Sequence, residues 1–221
     1  MPAPVLELDT PYGPARVHLH AAQAEPVGAL ILGHGANGGV GARDLVCATD
    51  VAVALGLTTA LVEQPYKVAG KRSPAPATQL DTAWRTVVTA LHGGELDGLP
   101  VIAGGRSAGA RVACRTAADT QAAGVLCLAF PLHPPGRPEK TRQSELDAVR
   151  VPTLIVQGES DPFGLPPPAR NRKVVTVRAN HSLSSDLNGV AAAVRGWLVR
   201  MIDKFASGPD LGGHIGRQSH P

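Results

Sequence analysis

Several short runs of this chain are mostly apolar, with none of the polar alternation that a strand facing water on one side would show. Val27 to Leu32, Leu57 to Val62, Pro100 to Gly104, Gly124 to Phe130 and Val151 to Gln157 all read this way. Strands of this kind must be covered on both faces. Segments of helical spacing fall between them. Leu45, Val46, Ala48, Val51, Ala52 and Leu55 share a face over Asp44–Leu55, a second helix runs from near Pro76 to about Leu91, and a third spans Ala110–Ala118. Lys173–Val177 is a further strand, and Leu187 to about Phe205 a last long helix. At the front, Val5–Leu8 and Val17–His20 flank Tyr12-Gly13-Pro14 as a hairpin. The order predicts an α/β fold: a mostly parallel central sheet, an N-terminal antiparallel hairpin and helices on both faces. Residues 1–205 are expected to form one domain. Residues 206–221 are polar and Gly-rich and are expected to form a disordered tail.

Composition narrows the function classes. Hydrophobic residues make up 43% of 221 residues, enough for a sizeable core, whereas only seven residues are aromatic. The net charge of +3 is carried by scattered Lys and Arg, with Lys67, Lys71 and Arg72 the nearest approach to a cluster, so no nucleic-acid partner is expected. Cys47, Cys114 and Cys127 form no C-x-x-C pair, which suits a reducing cytoplasm. The N-terminus lacks the basic-then-apolar order of a signal peptide, and no run is long enough to span a bilayer. The eight His are dispersed, without H-x-x-x-H or H-E-x-x-H, so no metal is expected. No P-loop occurs, and no cofactor is expected either.

The chemistry concentrates at Gly105-Arg106-Ser107-Ala108-Gly109, a G-x-S-x-G sequence between an apolar strand and a helix. In that setting the serine sits on a tight turn with its hydroxyl raised above the sheet edge. The alternative is an ordinary helix cap by Ser107. A serine hydroxyl needs a base, and the base an orienting acid. Asp161 follows the strand ending at Gln157 and His181 follows the strand ending at Val177, so Ser, Asp and His occur in that order past three strand ends. Glu159 is a rival acid, two residues nearer its strand. A tetrahedral oxyanion would take one N–H from Ala108 and a second from the Gly33–Gly39 loop, assigned to Ala36 with Asn37 as alternative. His34 is expected to brace that loop and not to serve as base. Arg106 and Arg111 flank the serine, where either could hold an acidic substrate or form a surface ion pair.

The combination of Leu32-Gly33-His34-Gly35-Ala36, Pro65-Tyr66 to Arg72, Gly104 to Arg111, Pro131 to Gly136, Gln157 to Gly164 and Asn180-His181-Ser182 resembles the α/β-hydrolase superfamily. Within it the sequence is similar to the small lidless members akin to dienelactone hydrolase. It most resembles a group of poorly characterised hydrolase-like domains shared by bacterial proteins, a testis-expressed vertebrate protein and a histone-acetyltransferase complex subunit. The likeness covers about residues 4 to 205. It implies Ser107 as nucleophile, Asp161 as acid and His181 as base, with a small acyl substrate in an open cleft. It also brings in His133, which either faces the pocket or packs its own loop, and Phe163 beside the acid. Because the group includes proteins that act within complexes, a non-enzymatic interaction module on the same fold is the alternative reading.

Overall fold

A computed structural model describes residues 4–207. One eight-stranded sheet organises it. The strands are β1 (Val5–Leu8), β2 (Ala15–His20), β3 (Gly28–Gly33), β4 (Leu57–Glu63), β5 (Val101–Arg106), β6 (Gly124–Leu128), β7 (Thr153–Gly158) and β8 (Arg172–Val177). Their spatial order is β1-β2-β4-β3-β5-β6-β7-β8. The pairs β1–β2 and β2–β4 are antiparallel, and all pairs from β4 to β8 are parallel. The helices are α1 (Arg43–Ala54), α2 (Pro65–Val68), α3 (Ala77–His92), α4 (Ala108–Thr116), α5 (Gln143–Asp147) and α6 (Leu187–Ser207).

Burial explains the apolar runs. Every residue of β3, β6 and β7 is buried. In β3, Ala29 and Ile31 face α3 and α4, while Leu30 and Leu32 face α1 and α6. The first layer is filled by Trp84, Val87, Leu91 and Phe130, the second by Leu45, Leu57, Val194 and Leu198. After β3 the chain crosses by α1 to β4 on one side, then returns by α3 to β5 on the other. This reversal opens a crevice beyond the carboxyl ends of β3 and β5, where open α/β sheets place their ligands.

The structure moves some expected boundaries. Strand β2 begins at Ala15, paired with Leu8, and not at Val17. Strand β5 continues to Arg106, and α4 begins at Ala108, two residues before the expected start. Gly109 discourages helix by propensity, but here it permits backbone contact. A β-carbon on Gly109 would overlap the Gly33 carbonyl, and one on Gly105 would stand 2.5 Å from the same oxygen. The short helices α2 and α5 were not expected. Pro65 at its first position starts α2, and α5 buries only Leu146. Of the expected tail, Ala206 and Ser207 close α6, and residues 208–221 lie outside the described residues.

These contacts set two glycine substitutions against each other. Gly109→Ala is expected to lower the unfolding free energy by about 2–4 kcal/mol, because the clash is with backbone that no rotamer relieves. Gly196→Ala lies within α6 with open space around its β-carbon. It should stabilise by about 0.5–1 kcal/mol through helix propensity alone. Urea titrations of both variants check the pair.

Candidate active site

Ser107 lies between the last residue of β5 and the first of α4 with φ 52° and ψ −108°. A left-handed φ costs a side-chain-bearing residue about 1–3 kcal/mol, so surrounding contacts must hold it. Its N–H donates to the Leu128 carbonyl at the end of β6 (2.9 Å). The hydroxyl makes no cap bond to α4; it pairs with His181 Nε2 at 2.9 Å.

His181 stands in the loop after β8, and its Nδ1 is 2.8 Å from Asp161 Oδ2. A carboxylate only accepts, so Nδ1 carries the hydrogen and Nε2 is free to accept from the Ser107 O–H. Asp161 is held from three directions. Its Oδ1 accepts the Phe163 N–H (2.9 Å), and its Oδ2 also accepts from Gln157 Nε2 (2.8 Å). Its side chain is 1% exposed. Glu159 points to solvent, and its backbone N–H is tied to Val177. The acid beside the imidazole is therefore Asp161. Phe163 lies against the imidazole, with ring centroids 4.2 Å apart and planes at 36°.

Two residues of this network escaped the sequence reading. Gln157 ends the apolar run of β7 and is fully buried. Its amide nitrogen faces the carbonyls of Phe130 (3.0 Å) and Gly164 (2.9 Å) as well as Asp161. A polar side chain closing an apolar strand was the available signal, since burying one unpaired is costly. Asp44, in the first turn of α1, accepts from Arg106 Nε at 2.9 Å. Burial pushes its carboxyl above the usual range, with Arg106 opposing that rise. Arg106 also donates through Nη2 to the His181 carbonyl (3.1 Å). Its charge is thus taken by Asp44, and its second arm by the loop that carries the imidazole. Arg111 is likewise engaged, bidentate to Glu145 of α5.

The Gly33–Gly39 loop is held from behind. His34 is buried, with Nδ1 donating to the Gly35 carbonyl (2.8 Å) and Nε2 accepting from the Gln64 N–H (3.1 Å). Gly35 O also accepts from the Gly38 N–H. In a trans peptide N–H and C=O point oppositely, so fixing the Gly35 carbonyl fixes the Ala36 N–H. The Ala36 carbonyl accepts from Tyr66 Oη (2.9 Å), which orients the Asn37 N–H in the same manner. Burial pushes the Tyr66 hydroxyl up to about 12, which keeps it a donor.

Ser107, Ala108, His181, Ala36, Asn37, Arg106 and Phe163 all line one open cleft of about 560 Å³. His34 and His133 are not in its lining. The His133 ring abuts Gly164, and its Nδ1 is bonded to the Pro134 carbonyl (2.9 Å). A cleft of this size suits a small organic ligand. The hydrogen-bonded series of carboxylate, imidazole and hydroxyl is the arrangement by which a serine is deprotonated as it attacks a carbonyl. Among the described residues no cluster of three or more His, Cys, Asp or Glu could hold a metal ion, and no helix is long and apolar enough to cross a membrane.

Residues 26–185 match a family described as an alpha/beta hydrolase domain. Among solved structures, Est1E from Butyrivibrio proteoclasticus, with ferulic acid bound, superposes with a TM-score of 0.75 at 19% identity, over 90% of this chain and 100% of that one. An α/β serine hydrolase without a lid from Xanthomonas campestris gives 0.73 at 18%, over 90% and 95%. Dienelactone hydrolase from Anabaena variabilis gives 0.70 at 17%, over 90% and 97%.

The buried His34 predicts a pH dependence of stability. Burial holds its pKa below 6.5. The unfolded chain therefore binds a proton that the native state refuses as pH falls through about 6.5. The neutral His34 contributes fully above that pH, and the contribution is lost below it. Urea midpoints measured between roughly pH 8 and pH 5 should fall for the wild type and fall less for His34→Gln.

Proposed function

The chain belongs to the alpha/beta hydrolase domain family, and on that premise we propose that it is a serine hydrolase of small carboxylic esters, thioesters or lactones. One observation carries the reading: Ser107, His181 and Asp161 are bonded in series at 2.9 Å and 2.8 Å, and the series opens on a cleft with room for substrate. In this reading Ser107 sits on a nucleophile elbow, and its strained backbone presents Oγ to the acyl carbon. His181 Nε2 takes the Ser107 proton as the C–O bond forms. Asp161 keeps Nδ1 protonated and stabilises the imidazolium. The oxyanion goes to the N–H groups of Ala108 and Ala36. The first is the opening donor of α4, and the second belongs to a peptide whose carbonyl is pinned by His34 and Gly38. Imidazolium then protonates the leaving oxygen or sulfur. Water, activated by the same imidazole, releases the acyl group and restores Ser107.

Within the family we place the chain with the lidless, dienelactone-hydrolase-like esterases. The five-residue α5 is the one helix between β6 and β7, in a segment where a lid would insert. Kinship with the poorly characterised hydrolase-like group rests on the motifs of the sequence. We read residues 1–205 as one domain. We place the protein in the cytoplasm, where the free thiols Cys47, Cys114 and Cys127 would stay reduced. A non-enzymatic module would need neither the 2.9 Å Ser107–His181 bond nor the open cleft, so the hydrolase reading is preferred.

A fluorophosphonate probe should label the folded wild type on Ser107 and leave Ser107→Ala unlabelled. Against short acyl esters, Ser107→Ala should lower kcat by about 10⁴-fold or more, and Asp161→Asn by about 10⁴-fold through the wrong imidazole tautomer. A wild type that resists labelling under conditions that label a control esterase would end this proposal.

A further inference from the structure

A concavity of about 770 Å³ lies at the end of the sheet opposite the cleft. It opens beside the amino ends of β7 and β8, where Thr153 and Arg172 begin their strands, against the last turns of α6. Six cations line it: Arg150, Arg170, Arg172, Lys173, Arg200 and Lys204. They are drawn from 21 Lys and Arg in the chain, and no Asp or Glu joins them in the lining although the chain has 18. Arg172 is buried and engaged, bonding Asp147 and the Pro167 carbonyl. The other five are exposed, and among the described residues none has a carboxylate within salt-bridge distance.

Some of these charges have local reasons. Lys204 favours the C-terminal end of a helix, and Lys173 protects an edge strand from pairing. Neither reason directs them, with Arg150, Arg170 and Arg200, into one hollow. Like charges gathered in a concavity repel one another, and the same walls focus their field on whatever anion enters. Four of the six are Arg, whose planar fork matches phosphate oxygens bidentately. The floor beneath them is apolar, formed by Pro152, Trp197 and Met201. The hollow is bounded by loop, strand and helix and has the volume of a small-molecule pocket, whereas a duplex needs an extended basic stripe.

We propose that this groove binds a small polyphosphate, such as the phosphate chain of a nucleotide or an inorganic triphosphate. Its phosphates lie between Arg150, Arg170, Arg200 and Lys204, and an organic part, where present, rests on the apolar floor. The site is separate from Ser107 and stands whether or not the chain is a hydrolase.

Isothermal titration of the full chain with AMP, ADP, ATP and sodium triphosphate, at near-physiological salt, tests this. The expected result is saturable one-to-one binding that tightens from AMP to ADP to ATP. Tighter binding of ATP than of triphosphate would assign the floor to the base, and equal binding would assign the site to phosphates alone; both support the groove. The triple variant Arg170→Ala, Arg200→Ala, Lys204→Ala should lose affinity by about tenfold or more, as charge-assisted hydrogen bonds require. Its far-UV circular dichroism and thermal midpoint would show that it folds. Ser107→Ala should bind as the wild type does. Three outcomes overturn the proposal: no saturable binding, undiminished binding by the folded triple variant, or binding of a 20-base-pair DNA about a hundredfold tighter than ATP with the salt dependence of many phosphate contacts.

Discussion

The architecture depends on a backbone approach that side chains would forbid. At the carboxyl ends of β3 and β5, Gly105 and Gly109 both press against the backbone of Gly33. This contact lets α4 leave β5 through a single residue, and that residue is Ser107. The strained turn persists because it is held by the sheet: the Ser107 N–H is bonded to Leu128 of the neighbouring strand. The same contact sets the loop after β3 beside the serine, so the hydroxyl and the candidate oxyanion donors of Ala36 and Ala108 share one support. Backbone packing therefore comes first, and the position of the chemistry follows from it.

The imidazole is steadied from two sides. On one side Gln157 and the Phe163 N–H fix the Asp161 carboxylate. On the other, the Asp44–Arg106 pair reaches the backbone of His181 itself. Holding a histidine at both its side chain and its carbonyl limits the ring to few orientations, and Phe163 covers its face. Preorganisation of this kind matters because a displacement of about 1 Å costs a catalytic site heavily.

Much of this was readable from local pattern. Strands buried on both faces leave mostly apolar runs without polar alternation, so β3, β4, β6 and β7 were evident. The order of Ser107, Asp161 and His181 past strand ends located the three residues that the fold brings together. What escaped depends on contacts distant in sequence. Asp44 reads as an ordinary acid at a helix start until Arg106, 62 residues on, is seen beside it. Helix α5 has one buried residue, Leu146, and so no period to detect. Gly104 and Gly105 weaken any strand pattern at the end of β5, although close packing is their reason for being there. The motif offers His133 two roles, and its packing against Gly164, its bond to the Pro134 carbonyl and its place outside the cleft lining separate them.

The brevity of α5 bears on what can limit turnover in a hydrolase built this way. On the proposed reading, with no segment among the described residues placed to swing across the cleft, access and release would proceed without a conformational gate, and water would reach the serine throughout the cycle. Selectivity would then reside in fixed walls, and the field that stabilises charge would come from dipoles already in place, since no closure would dry the site. The tethered peptides of Gly35 and Ala36 meet that need: their orientation is set before any substrate arrives. Such an enzyme would tolerate varied leaving groups that project into solvent, while discriminating closely on the acyl part that the walls enclose.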